Sequence, residues 1–243
     1  MPVVASAAAI AELAPGGKVR AGVNLSNFLL VTGRGPKGQP QGISPDLAAA
    51  IAERLGATVE YVTYETPAKL ADAAGSNAWD IGLIGAEPQR AESIAFSKAY
   101  LEIEATYLVP PGSPIKSIAE VDREGVRVVA MRGSAYGLWL DRNLKHATIV
   151  HASSIDDSYA RYVAEGAEAL AGLRPRLISD VEKRPGSRIL EGRFSAVQQA
   201  VGTPKPRAAA AAFLTEFIEE AKASGLIARL IAKHGVNGVS VAT

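Results

Sequence analysis

Strand-like and helix-like segments alternate along this chain, and that alternation constrains the fold more than any other feature of the sequence. Val19, Ala21 and Val23 alternate with Arg20, Gly22 and Asn24, a period of two that predicts a strand ending in the polar run 24–27. Ser44, Pro45 and Asp46 then predict a helix start: a cap residue, Pro at the first helical position, and an acid at the positive end of the helix dipole. Leu47, Ile51 and Leu55 repeat at helical spacing and Gly56 stops the pattern. A strand over 58–64, a helix over 66–74 and a buried strand over 80–84 continue the order. Strands separated by helices call for a parallel sheet, so the first hundred residues read as an α/β layer.

The rest of the chain repeats the style. Strands are expected at 106–109, 126–131 and 147–150, and helices at 117–121, 135–144 and 155–164, with a turn at Gly133-Ser134. An extended run over 194–200 precedes a long helix, expected to open at Thr203-Pro204 and close near Gly225, with Phe213, Phe217 and Ala221 toward a core. A last helix carries Leu226, Leu230 and Ile231 and ends at His234-Gly235. The 243 residues allow one large domain or two smaller ones, each with its own core.

Several functions are disfavoured by composition. With 26 Lys+Arg against 25 Asp+Glu, the net charge of +1 gives no general attraction to nucleic acid or to an anionic membrane. The tight basic pair Lys183-Arg184 reads as solvated surface. The chain has no cysteine, which removes thiol catalysis, thiolate ligands and disulfides. No apolar run is long enough to span a bilayer. The N-terminal residues have a small-residue triplet at 5–7 but no Lys or Arg before Lys18, which does not read as a signal peptide; either one was trimmed and replaced by Met or none is carried. Gly33, Gly35 and Gly38 match a dinucleotide-binding glycine pattern by letter, but Gln39-Pro40-Gln41-Gly42 follows instead of a helix, so a turn at a hairpin tip is the better reading and no cofactor is expected. His146, His151 and His234 lack metal-ligand spacing, and no nucleophile or phosphate-binding motif is present, so neither a metal nor a catalytic set is expected.

Taken in order, Gly42-x-x-x-Asp46-Leu47, Trp79-Asp80-Ile81-Gly82, Pro88-Gln89-Arg90, the run 94–100 (IAFSKAY) and the run 127–134 (RVVAMRGS) resemble the type II periplasmic solute-binding proteins of bacterial ABC importers, in their amino-acid (family 3) branch. The resemblance spans about 18–235. It implies an α/β fold of two lobes joined by two hinge strands, near 101–105 and 193–200, with lobe 1 formed by 1–103 plus 197–243 and lobe 2 by 104–196. It also implies a ligand in the interlobe cleft, the membrane subunits of an importer as partner, a periplasmic location, no cofactor and a monomer. The missing signal leaves a cytoplasmic sensor open, and a few proteins resembling this family are dehydratases, which leaves an enzyme open.

By this resemblance Arg90 clasps the ligand carboxylate, a role suited to a planar fork that stays charged when desolvated; the plain alternative is a surface arginine capping the 91–94 turn. Gly133, Ser134 and Ala135 offer backbone N–H groups and a hydroxyl to the same anion, or simply make a turn. Gly85 and Asn24, at strand ends, and the rings of Phe28 and Tyr136 complete the expected site. Two departures stand out. Leu173 falls where the family has an acid for the ligand ammonium, and Asn24 is neutral where amino-acid binders often have an acid, which argues against a standard α-amino ligand. Glu87 replaces the usual Thr or Ser three residues before the arginine; it caps or pairs with Arg90, supplies the missing acid, or acts as a general acid or base.

Overall fold

The computed structural model describes residues 2–243, and the chain divides into two compact units. One is built from the chain up to Glu102 and from Gln198 to Thr243; the other is Ile103–Val197.

The first unit begins with helix α1 (Ala7–Leu13), capped by the Ser6 hydroxyl, which accepts from the Ala9 N–H. Strand β1 (Lys18–Asn24) follows, then a hairpin of β2 (Gly33–Arg34) and β3 (Pro40–Gln41), so the glycine-rich stretch is a hairpin tip. Helix α2 (Ile43–Arg54) starts before the expected Ser44. The reason lies at Gly42, whose φ of 147° turns the chain against the Leu30 carbonyl. Ser44 is therefore inside the helix, buried, with its hydroxyl 3.2 Å from that of Tyr100. Next come β4 (Thr58–Tyr64), α3 (Pro67–Asp72), β5 (Ile81–Gly85), a 3-10 turn at Arg90–Glu92, β6 (Ile94–Phe96) and β7 (Leu101–Val109), along which the chain enters the second unit.

In the second unit β8 (Arg127–Met131), α4 (Ala135–Asn143), β9 (Thr148–Ala152) and α5 (Ile155–Ala164) lie close to their expected places. β10 (Ala169–Leu173) and α6 (Arg174–Lys183) have no counterpart in the sequence reading, and a short β11 (Arg188–Ile189) follows. The chain returns along β12 (Ser195–Pro204) to α7 (Ala208–Ala223), α8 (Leu226–His234) and β13 (Ser240–Val241). Thr203 and Pro204 thus end a strand instead of opening a helix: Thr203 pairs with Ala95, and its hydroxyl donates to the Asp80 carbonyl at 3.0 Å.

The first unit's sheet has β1 between parallel β4 and β5, with β12 antiparallel to β5. Its core packs Leu47 and Ile51 of α2 with Phe213 and Phe217 of α7, as the helical spacing implied. The second unit's sheet runs β7-β10-β8-β9, parallel from β10 to β9, over a core of Leu108, Val129, Tyr162 and Leu177. Lys183 is exposed, as the surface reading has it, and Arg184 is half-buried. Lys183 bonds the buried Asp180 at 2.7 Å and lies 4.9 Å from the Tyr159 ring centroid, while Arg184 lies 5.7 Å from that of Tyr162.

Candidate functional site

In an open parallel sheet, loops at the carboxyl ends of the strands gather functional groups. In the first unit those ends are Asn24, Tyr64 and Gly85. Asn24 is buried and its Oδ1 accepts from the Ser26 N–H at 3.1 Å and the Ser26 hydroxyl at 2.7 Å, so it builds the turn that follows β1. Phe28, in that turn, keeps 38% of its surface exposed.

Beyond Gly85 the chain makes the 3-10 turn that holds Arg90. The arginine is buried, which corrects the alternative of a surface capping residue, and its Nη1 donates to the Gly85 carbonyl at 2.7 Å. Burial pulls its pKa down to about 10, opposed by the charges of Glu87 and Asp72, so the guanidinium stays cationic at neutral pH. Glu87 is half-buried, and its carbonyl accepts the Ala91 N–H at 2.9 Å. Gly85, Glu87 and Arg90 are therefore brought together, and Asp72, at the end of α3, is a further charge near the arginine that sequence reasoning missed.

In the second unit Gly133 has φ 68°, and Ser134 is the N-cap of α4. The Ser134 hydroxyl accepts from the Gly137 N–H at 3.0 Å and donates to the Met131 carbonyl at 2.8 Å, so it is engaged inside the turn and does not stand as the outward donor that was expected. The backbone N–H groups of Ala135 and Tyr136 have no acceptor among the described residues. They are the unsatisfied donors of a helix N-terminus, where the dipole favours an anion. The Tyr136 side chain is buried and burial pushes its phenol up to about 12; its ring is interior and offers no open face of the kind Phe28 has. Gly137 was also missed: a Cβ there would stand 2.6 Å from the Met131 carbonyl oxygen and 2.9 Å from Ser134 Oγ, so only glycine lets the capped turn close. The signal was present as a glycine at the third position after the cap.

At the end of β10, Leu173 is buried and pairs with Ala105, and Arg174 follows with its Nε 2.6 Å from Glu104. Among the described residues no three His, Asp or Glu side chains are grouped to hold a metal ion, and no helix is long and apolar enough to cross a membrane.

Residues 26–237 match the model of a family described as bacterial extracellular solute-binding proteins, family 3. No curated protein matches the chain. Among solved structures, a mutant of ArgBP from T. maritima is 22% identical, with a TM-score of 0.74 over 93% of this chain and 99% of the other. A solute receptor for L-cysteine of Neisseria gonorrhoeae is 19% identical, with a TM-score of 0.76 over 94% and 95% of the two chains. The ancestral amino acid-binding protein AncCDT-1, a precursor of cyclohexadienyl dehydratase, is 21% identical, with a TM-score of 0.73 over 92% and 98%. At these identities the likeness is one of fold.

Proposed function

The chain belongs to the bacterial extracellular solute-binding proteins, family 3, with the type II periplasmic-binding fold, and from that premise we propose that it captures a small carboxylate-bearing solute for an ABC importer. Arg90, within the first unit, and the amides of Ala135 and Tyr136, within the second, are each suited to an anion. The observation that carries this reading is the buried, cationic Arg90, held by the Gly85 carbonyl on the turn after a central parallel strand. A desolvated guanidinium binds a carboxylate through two parallel charge-assisted bonds, and the amides at the start of α4 suit the same charge. The exposed face of Phe28 covers the apolar body of the solute.

The solute is amino-acid-like without a standard α-ammonium. Leu173 is buried and apolar, Asn24 is neutral and engaged with Ser26, and a buried ammonium without a counter-charge is unfavourable. The protein works as a monomer outside the cytoplasmic membrane, hands its solute to the importer's membrane subunits, and binds without turnover.

Isothermal titration against keto acids, hydroxy acids, small dicarboxylates and amino acids tests this. A carboxylate lacking an α-amino group is the expected hit, and Arg90→Ala is expected to weaken it about 100-fold or more, the scale of a truncated buried charge pair. Unchanged affinity in that variant removes Arg90 from the site, an ordinary α-amino acid as best ligand overturns the reading of Leu173 and Asn24, and product formation overturns a purely binding role.

A further inference from the structure

The loop between β12 and α7 carries Lys205 and Arg207, and both line a cavity of about 630 Å³ whose walls all belong to the first unit. We propose that this cavity is a second ligand site, for a small organic monoanion, a carboxylate on an apolar body, held by the side edge of the Arg207 guanidinium and by the Lys205 ammonium. The volume falls within the roughly 300–1,000 Å³ of small-molecule sites. Pro204, Pro206 and Ala74 give it apolar walls.

The open edge of Arg207 follows from the bonds it already makes. Nη1 donates to Asp80 Oδ1 and Nη2 to Asn77 Oδ1, each at 2.8 Å. Arg20 Nη2 donates to the same two oxygens, at 2.8 Å and 3.1 Å, so they stand side by side and Arg207 meets them end-on, with one N–H of each terminal nitrogen. The other Nη1 N–H goes to the Glu12 carbonyl at 2.8 Å. Of the donors of a guanidinium, Nε and the second N–H of Nη2 are left, without an acceptor among the described residues. These two N–H groups run parallel along the side of the fork, the arrangement that takes both oxygens of a carboxylate.

The charge around the cavity has the matching sign. Asp80 is a single carboxylate shared by two arginines, so the group of Arg20, Asp80 and Arg207 carries one positive charge in excess, on side chains only 28% and 19% exposed. Lys205 Nζ donates to the Ala91 carbonyl at 3.0 Å, a neutral acceptor that leaves the ammonium charge in place. Glu92, exposed on the same lining, balances one of these charges. A single positive charge remains beside apolar surface. A monoanion neutralises it, whereas a cation is repelled by it and a dianion brings a charge with no partner.

The test is an NMR titration of the full chain with benzoate, following backbone amides and arginine Nε–H signals, with benzyl alcohol and benzylamine as neutral and cationic counterparts. Benzoate is expected to move the amides of Asn77, Ser93, Lys205 and Arg207 together with the Arg207 Nε–H signal; benzyl alcohol is expected to move them less and benzylamine not at all. Lys205→Gln is expected to weaken benzoate about fivefold while leaving the rest of the spectrum in place, as befits an exposed side chain. Benzyl alcohol or benzylamine binding as tightly as benzoate, or no movement of the lining amides, overturns the site. Movement of those amides with the Arg207 Nε–H signal still overturns the role of the side edge, and unchanged affinity in Lys205→Gln overturns that of the ammonium. A response confined to Ala135 and Tyr136, whose amides are assigned to the transported solute, overturns this site and leaves the transport reading standing, so the two fail separately.

Discussion

Asp80→Ala is expected to be the most damaging single polar truncation in the first unit. Its carboxylate is fully buried and accepts from the Arg20 N–H at 2.9 Å, Arg20 Nε at 3.0 Å, and Arg20 Nη2 and Arg207 Nη1 at 2.8 Å each. Burial by itself would push the carboxyl up, but the bonds from the two arginines outweigh it and hold the pKa below the usual carboxylate range. Removing one member of a buried ion pair costs about 3–5 kcal/mol. The low end is favoured by fallback partners: Arg20 keeps the Asn77 carbonyl and Oδ1, and Arg207 keeps the Glu12 carbonyl. The Arg20 N–H pushes the other way, because the β1–β5 ladder begins only at Ala21 and the carboxylate is its acceptor there; a stranded backbone donor adds about 1–3 kcal/mol. The two considerations converge on about 4 kcal/mol, or a melting shift of about 8–16 °C at this chain length. Urea unfolding in a Trp139→Phe background, which leaves Trp79 as sole indole reporter beside the mutation, measures it. A loss under about 1 kcal/mol, or one no larger than Arg207→Met produces by removing one of the four bonds to this carboxylate along with those to Glu12 and Asn77, refutes the reasoning.

Gly42→Ala, at a φ of 147° with the added Cβ only 2.2 Å from the Leu30 carbonyl oxygen, is expected to destabilise by about 3 kcal/mol in the same urea assay, whereas an exposed turn glycine would lose far less. Gly137→Ala displaces the Met131 carbonyl and the Ser134 cap, so calorimetry is expected to show solute binding weakened at least as much as by Ser134→Ala, which loses a cap worth about 1 kcal/mol. Glu220 bonds both Arg54 Nη atoms and the Val3 N–H, and the Arg54 bonds, chief among the causes, bring its pKa down to about 2. A depressed carboxylate stabilises the fold above its unfolded pKa and loses that contribution as pH falls through the folded value. Stability is therefore expected to decline from pH 4.5 toward 2, and Arg54→Met to flatten that decline in pH-resolved melts.

How much of this was legible from residues depends on whether the deciding interaction was local. The β1, β4 and α5 ranges follow from period and capping: Ser154 caps α5 through the Asp157 N–H, and apolar alternation places Val19, Ala21 and Val23 inside. Where a distant partner decides, the local signal misleads. Ser44-Pro45-Asp46 has every mark of a helix start, yet the helix begins at Ile43 because Gly42 folds against Leu30, and Asp46 serves a tertiary role, bonding Lys233 at 2.7 Å and His234 at 2.8 Å at the end of α8. Thr203-Pro204 reads as a cap followed by a first-turn proline, but pairing with β6 keeps the strand going and the helix waits for Ala208.

The second unit's largest omission has a different cause. Weighing 168–173 only as the place for a ligand acid hid the fully buried strand over 169–173, although Pro175 just inside the next helix is an ordinary start signal. The same distinction governs the site. Arg90 was legible as a residue type in a family pattern, but its burial comes from tertiary packing and its contact with Gly85 from the path of the 3-10 turn. Ser134 was legible as a hydroxyl beside a helix start, and the cap geometry then turns that hydroxyl inward to Met131, so the donors left to an anion are the amides of the next two residues. A Ser N-cap and a Ser ligand donor are the same letter in a sequence and differ only in where the oxygen's proton goes, which the fold decides.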